Sequence, residues 1–360
     1  MRTALLAVLY TTAKLPGAVG FLTCAEGDAA SYFRPGPRSE DLKDDTSHEV
    51  NVVLPGENEA AAMIKESYFD HTDMHGNTTE REELKKLGGN PIYGEIEEAS
   101  ALRLLTSAGL LNATTTDTFY DIGSGLGKFI NLAALASPVK KAVGVEYVWS
   151  RIKPGLTAKE RLNLSFRKHL KEVVTTNSTS ASNVTIVMPA GTLEVPKSMV
   201  VQNLPDKVNA PSVGEKIDPS PLDCVMRDRT EFKQGDFRSM DWSDLTIGFI
   251  SAACFSDELV GDICKKMRLE SKELRHFALS GYHQLTGPRG YLQCACWLEE
   301  YTSTKLNMTW ATASEVKLFS RKAGLVDEKA CEKQDPQENE EQGGSTVGSS
   351  KKDDAELVTL

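Results

Sequence analysis

Residues 119–128 read FYDIGSGLGK, from Phe119 to Lys128. Thr118–Ile122 is a β-prone run that carries Asp121 near its end. Gly123, Gly125 and Gly127 follow at alternate positions, with Ser124 between the first two. Phe129, Leu132, Ala133 and Ala136 then recur at helical spacing, which predicts a helix over Lys128–Ala136. Strand, glycine turn and helix place a bare backbone and unpaired helix N–H groups where a ligand can approach. A dinucleotide fingerprint opening at Gly123 would want its third glycine where Lys128 stands, so the turn departs from that pattern.

Downstream, Lys141–Val148 predicts the next strand, and Leu156–Val174 an amphipathic helix with Leu162, Phe166 and Leu170 in register. Strand, turn, helix, strand and helix make a βαβ unit, hence an α/β fold with a parallel sheet. Glu146 stands 25 residues after Asp121, where Rossmann-type folds place an acid to accept from both ribose hydroxyls. The pattern resumes at Glu231–Phe237, where Gly235-Asp236-Phe237 stands after the third strand. By itself it could be a turn. After the two earlier motifs, Asp236 is expected to accept from an adenine amino group and Phe237 to stack on the base.

Leu245–Ala253 predicts a strand, Asp257–Leu269 a helix, and Tyr291–Leu298 and Val316–Phe319 late strands. Upstream, Glu59–Glu66, Glu80–Leu87 and Glu97–Leu111 predict a helical lead-in, broken by the loop Gly88–Glu95. Residues 175–222, rich in Ser, Thr, Asn, Val and Pro, read as an insertion that is partly disordered or carries its own small elements. The expected organisation is an extension over 1–48, a catalytic domain over 49–325 and a disordered tail over 326–360.

The formal net charge of -10 gives no general attraction to nucleic acid, and no direct nucleic-acid reader is evident. The seven cysteines are too scattered for a disulfide framework and lack zinc spacing, so they read as small buried hydrophobes with no metal. Arg2 and the apolar stretch Ala4–Ala13 have the outline of a signal peptide, which Lys14 cuts short, leaving a secretory route open beside a nuclear or cytoplasmic one. The sequons at Asn77, Asn112, Asn163, Asn177, Asn183 and Asn307 do not decide between them. No other apolar run is long enough to span a bilayer, so no membrane partner is expected.

An acid before three alternate glycines resembles the first motif of methyltransferases, where the acid faces the ammonium of a methionine moiety. Pro91-Ile-Tyr-Gly-Glu-Ile96, a helix, FYDIGSGLGK, AVGVE and GDF, in that order, resemble the disruptor-of-telomeric-silencing type of histone lysine methyltransferase over roughly residues 60 to 320. The resemblance implies a Rossmann-like, seven-stranded, mostly parallel sheet with helices on both faces, in place of the SET fold. It implies S-adenosylmethionine as cofactor, touched by Phe119, Asp121, Gly123, Ser124, Gly125, Gly127, Lys128, Glu146, Asp236 and Phe237. It implies that Tyr93, Gly94, Glu95 and Ile96 fold over that cofactor, although the family usually has threonine at the position of Ile96. Where the family has Asn-Asn-Phe beside the methyl-transfer point, this chain has Ser251-Ala-Ala-Cys-Phe-Ser256. Ser251 could replace one hydrogen bond, Ala252 cannot, and Phe255 matches an apolar channel residue. The family's animal and fungal members carry a basic nucleosome-binding extension, whereas the tail here is acidic apart from Lys351 and Lys352.

Methyl transfer from a sulfonium is an in-line displacement that chiefly needs alignment and exclusion of water. An amine acceptor must be neutral, and an apolar channel favours that form, so no general base is assigned. Tyr93, Ser251 and Phe255 are the candidate residues at the transfer point, with Tyr282 and Trp310 weaker candidates better explained as core. The expected substrate is a lysine of a basic protein, a histone or nucleosome. The alternatives are a non-histone acceptor, or a domain that binds cofactor without turnover.

Overall fold

Along the predicted strands, neighbouring side chains alternate between two cores, as extended backbone requires. Phe119, Ala142, Ile247, Phe249 and Ala278 face one; Tyr120, Ile122, Val143, Val145, Ile250 and Leu279 face the other. The computed structural model describes residues 33–34, 50–53, 57–68, 77–89, 94–105, 110–177, 183–188, 191–196, 200, 229–281, 293–322 and 331. In chain order these form β1 (Phe33–Arg34), β2 (Val50–Val53), α1 (Glu57–Ser67), α2 (Thr78–Lys86), α3 (Glu98–Leu105), β3 (Thr118–Ile122), α4 (Lys128–Ala136), β4 (Lys141–Glu146) and α5 (Trp149–Asn177). There follow β5 (Asn183–Met188), β6 (Gly191–Pro196), β7 (Thr230–Gln234), β8 (Ile247–Ser251), α6 (Asp257–Glu270), β9 (His276–Ser280), β10 (Leu298–Met308) and β11 (Ala311–Arg321). None of these helices is long and apolar enough to cross a membrane.

The main sheet has seven strands in the order β10-β11-β9-β8-β3-β4-β7. β9, β8, β3, β4 and β7 run parallel; β11 is antiparallel to both β9 and β10. This is the expected Rossmann-like, mostly parallel sheet, with α1, α3, α4 and α5 packed on one face and α6 on the other. The chain builds outward from β3 through β4 to β7, then returns to β3's other side with β8. That reversal opens a crevice at the strand carboxyl ends, the usual ligand site of such sheets.

Several local expectations change. β9 is assigned no element by the sequence reading: His276–Ser280 is too short for periodicity to separate strand from helix. Residues 293–295 are helical and β10 starts at Leu298, so the strand expected over Tyr291–Leu298 is not formed there; Tyr291 itself lies outside the described residues. α5 starts at Trp149, ahead of Pro154, because the proline's missing N–H lies near the helix start, where one bond is lost. Within the insertion, β5 and β6 form an antiparallel hairpin. β2 pairs with it in parallel and β1, from the extension expected over 1–48, antiparallel, making a second, four-stranded sheet.

The cysteines need a correction. Cys264, Cys294 and Cys331 are buried as expected, but they are not unpaired. Cys264 is bonded to Cys294, and Cys296 to Cys331, with Cα separations of 5.0 and 5.4 Å. Sequence spacing could not show this, because α6 and the 293–297 turn meet only in the folded second core. Cys331 also carries buried structure into the stretch expected as disordered tail. The apolar run Ala4–Ala13, the Lys351 and Lys352 end, Tyr93 and Tyr282 lie outside the described residues.

Candidate functional site

The glycine turn is built as the spacing demands. Gly123, Gly125 and Gly127 have φ of 84°, 56° and 75°, a region side-chain-bearing residues rarely adopt. A Cβ on Gly127 would also lie 2.3 Å from the Phe232 ring. Gly123 and Ser124 donate backbone N–H bonds to the Val145 carbonyl at 2.8 and 3.0 Å. Glu146 is buried: its Oε2 accepts from the Gly125 N–H and its Oε1 from the Val148 N–H, both at 2.9 Å, with Arg151 Nη1 at 3.8 Å. One carboxylate thus joins the glycine turn to the start of α5. Ser124 turns its hydroxyl the other way, toward Gly144.

Beside this turn lies a cleft open to solvent. Gly123, Val145 and Glu146 form its floor; Asp236 and Phe237 close one end, and Ser251, Phe255 and Leu259 the other. Leu84 and Leu87, at the end of α2, form an apolar wall, with Tyr147 and Arg151 near the acid. Gly94 and Trp310 complete the rim. A Cβ on Gly94 would sit 2.0 Å from Trp310 Cε3, so the loop lies flat against the indole. Trp310, expected as core, is 42% exposed and lines the cleft instead.

The charges at the floor are mainly acidic. Burial pushes the Asp121 carboxyl up to about 8, with Glu146 and Glu95 adding to the effect. Glu95 is held by Lys128 at 2.5 Å, and Lys128 lies 5.6 Å over the Tyr68 ring. Tyr68 is buried beneath, donating to the Leu126 carbonyl at 3.1 Å and accepting from Asn131 Nδ2 at 2.6 Å. At the far end, Asp236 is forked by Arg238, and Phe237 packs 5.8 Å from Trp242.

Two loops are stitched over the cleft. Thr309 donates its N–H to the Glu95 carbonyl at 2.8 Å, the Glu95 N–H meets Thr309 Oγ1 at 2.9 Å, and Ile96 bridges to Met308. Gly89 bridges to Phe255, and Ser256 donates to the Gly88 carbonyl at 3.0 Å. Of the expected site residues, Gly94, Gly123, Glu146, Asp236, Phe237, Ser251 and Phe255 meet in the cleft. Asp121, Ser124, Gly125, Gly127, Lys128 and Glu95 form its underlying shell. Phe119 does not join them: it is fully buried against Phe129, ring centroids 4.8 Å apart. Ile96 is core as well. Leu84, Leu87 and Tyr147 carry no motif; only their placement reveals them.

The family model described as histone methylation protein DOT1 matches residues 78–179, from α2 through α5 and so across the glycine turn and Glu146. Over this span the chain is similar to the DOT1 histone methylation family. Among curated proteins, nothing matches the chain. Solved structures similar to it include an RNA methyltransferase from Salinibacter ruber in complex with S-adenosyl-L-homocysteine, at 15% identity and TM-score 0.30, covering 64% of this chain and 92% of that one. The B. subtilis m1A22 tRNA methyltransferase TrmK is similar at 11% identity and TM-score 0.34, covering 64% and 67%. M. capricolum TrmK in complex with S-adenosyl-homocysteine is similar at 6% identity and TM-score 0.32, covering 62% and 66%. At these TM-scores the fold rests on the strand order itself.

The donor set fits the DOT1 family's cofactor. A buried carboxyl raised by neighbouring acids favours a cationic ligand group. Glu146, the acid expected to meet a ribose, is anchored by two N–H bonds. Leu84, Leu87 and Phe237 give the cleft apolar surface.

Proposed function

We propose that this cleft binds S-adenosylmethionine with Asp121 toward the ammonium, Glu146 toward the ribose, and Asp236 and Phe237 at adenine, and that the acceptor is a lysine of a core histone. The carrying observation is that one cleft joins a floor bearing Glu146, with the Asp121 carboxyl buried beneath it, to an end walled by Phe255, Trp310 and the flat Gly94 backbone. When bound, the cofactor supplies an electrophilic methyl group. The protein aligns the amine, excludes water and, through apolar walls, favours the neutral amine over the ammonium. Ser251 is the polar residue at this end, in a cleft position that can hold the incoming amine. Ala252 is fully buried and takes no part.

A histone acceptor places the protein in the nucleus. The test is transfer of a radiolabelled methyl group to core histones, intact nucleosomes and a general lysate. Label on histone lysines is expected. Label confined to another protein would remove the histone from this reading, and cofactor binding with no label anywhere would favour a module without turnover.

A further inference from the structure

Asp236 does not stand alone at the adenine end. Its Oδ1 accepts from the Arg238 backbone N–H and from Arg238 Nε, each at 3.0 Å; its Oδ2 accepts from Nε at 3.0 Å and lies 2.8 Å from Nη2. The same guanidinium lies 5.9 Å from the Phe237 ring centroid. Its other arm, Nη1, reaches Asp262 Oδ2 on α6 at 3.5 Å. One side chain therefore touches both residues proposed to meet the base and is tied from behind to a different element. Local sequence gives the reason: Asp236 caps the 3-10 turn Phe237–Ser239, so residue 238 is held beside its own cap.

We propose that Arg238 is the positioning residue of the adenine subsite, fixing Asp236 as an oriented anionic acceptor and steadying Phe237, with Asp262 as its anchor. This rests on the reading of Asp236 and Phe237 as adenine contacts. A carboxylate has about four acceptor positions. The backbone N–H and the planar fork occupy most of them and leave the remaining direction fixed. An acceptor held this way favours a base that presents an amino donor and disfavours one that presents a carbonyl oxygen. The electrostatics agree: burial pushes the Asp236 carboxyl up, but the Arg238 bonds more than offset it and leave it below the ordinary carboxylate value. Lysine cannot substitute fully, because it lacks the fork that grips both oxygens.

The test is base discrimination, measured by calorimetry on the full chain with S-adenosylhomocysteine and its inosine analogue, in which a carbonyl replaces the amino group. The unsubstituted protein is expected to prefer adenine by about tenfold or more, as for a hydrogen bond to a charged group. Arg238→Met should collapse that preference toward unity, chiefly by weakening the adenine ligand. Arg238→Lys should keep part of it, and Asp262→Asn should lower it less than Arg238→Met does. Asp236→Asn reports on the underlying reading. If neither the unsubstituted protein nor Asp236→Asn distinguishes the bases, the adenine assignment itself fails. If Asp236→Asn loses the preference while Arg238→Met keeps it, the assignment stands and the role of Arg238 is overturned. A parallel loss of both ligands in Arg238→Met, with a lowered melting temperature, would also overturn it, because that is the signature of a merely structural residue.

Discussion

With Asp121 facing the ligand ammonium as proposed, cofactor affinity should be a steep function of pH. Its carboxyl is buried beside β4, with Glu146 and Glu95 as the acids that face it and Lys128 already engaged by Glu95. Burial first, then those two acids, push it up to about 8, so before ligand binds it is largely protonated at neutral pH. A ligand ammonium needs the anion and must drive the proton off. Each pH unit below that value then costs about 1.36 kcal/mol. From pH 7.5 to pH 5.5 the expected weakening is about 2.5 kcal/mol, approaching a hundredfold in Kd. The sign for folding is the matching one. With the folded value above the unfolded one near 3.8, the group's contribution to stability falls as pH rises from there to about 8. Bound cation recovers that loss. Isothermal titration with S-adenosylhomocysteine, in buffers of different ionisation enthalpy, should show close to one proton released per ligand near pH 7. Asp121→Asn should bind weakly, with a flat profile. A flat profile in the unsubstituted protein, or an unchanged slope in Asp121→Asn, would refute the reasoning.

Glu146→Ala removes the acceptor for two backbone N–H groups as well as the proposed ribose contact, so cofactor affinity should fall at least about tenfold in calorimetry; an unchanged Kd would leave Glu146 a purely structural tie. Gly94→Ala forces Trp310 off the loop, which should alter its fluorescence and lower turnover while stability moves by less than about 1 kcal/mol; full activity would separate Trp310 from the acceptor end. Phe119→Ala should lose about 3–5 kcal/mol in denaturant melts yet keep cofactor affinity in the folded protein, because the ring packs in the core; a selective loss of affinity would return it to the site. Reduction of the purified, air-oxidised protein should release four thiols at Cys264, Cys294, Cys296 and Cys331 and lower stability by about 2–4 kcal/mol per bond, seen by alkylation mass spectrometry and thermal melts. With the protein in the nucleus as proposed, the reducing compartment should keep the same pairs as dithiols, and alkylation inside cells should label them.

Much of the frame was legible because it is written in local spacing. Asp121, three alternate glycines and the apolar face of Lys128–Ala136 dictate a strand, a positive-φ turn and a helix. Glu146 follows at the distance one βαβ crossover takes. The same short-range signals placed α2 and α6 to within about two residues of their observed ends. β9 was invisible because five residues do not establish a period, and the 183–196 hairpin because Ser/Thr-rich composition masks strands that pair with a segment far upstream.

Chemistry at the site divides along the same line. Residue type and spacing assign Asp121, Glu146 and Asp236 to a ligand, since each ends or follows a strand of one parallel sheet. They cannot say that Phe119 faces the core instead of the cleft, which depends on the layer covering that face. Nor can they supply Leu84, Leu87 and Trp310, or the pairing of Cys264 with Cys294. Glu95 and Thr309, which bind one another, are 214 residues apart. Periodicity encodes what neighbours along the chain must do. Which distant elements close over the cleft follows from how two cores pack against one sheet, and that packing depends on the whole set of side chains at once.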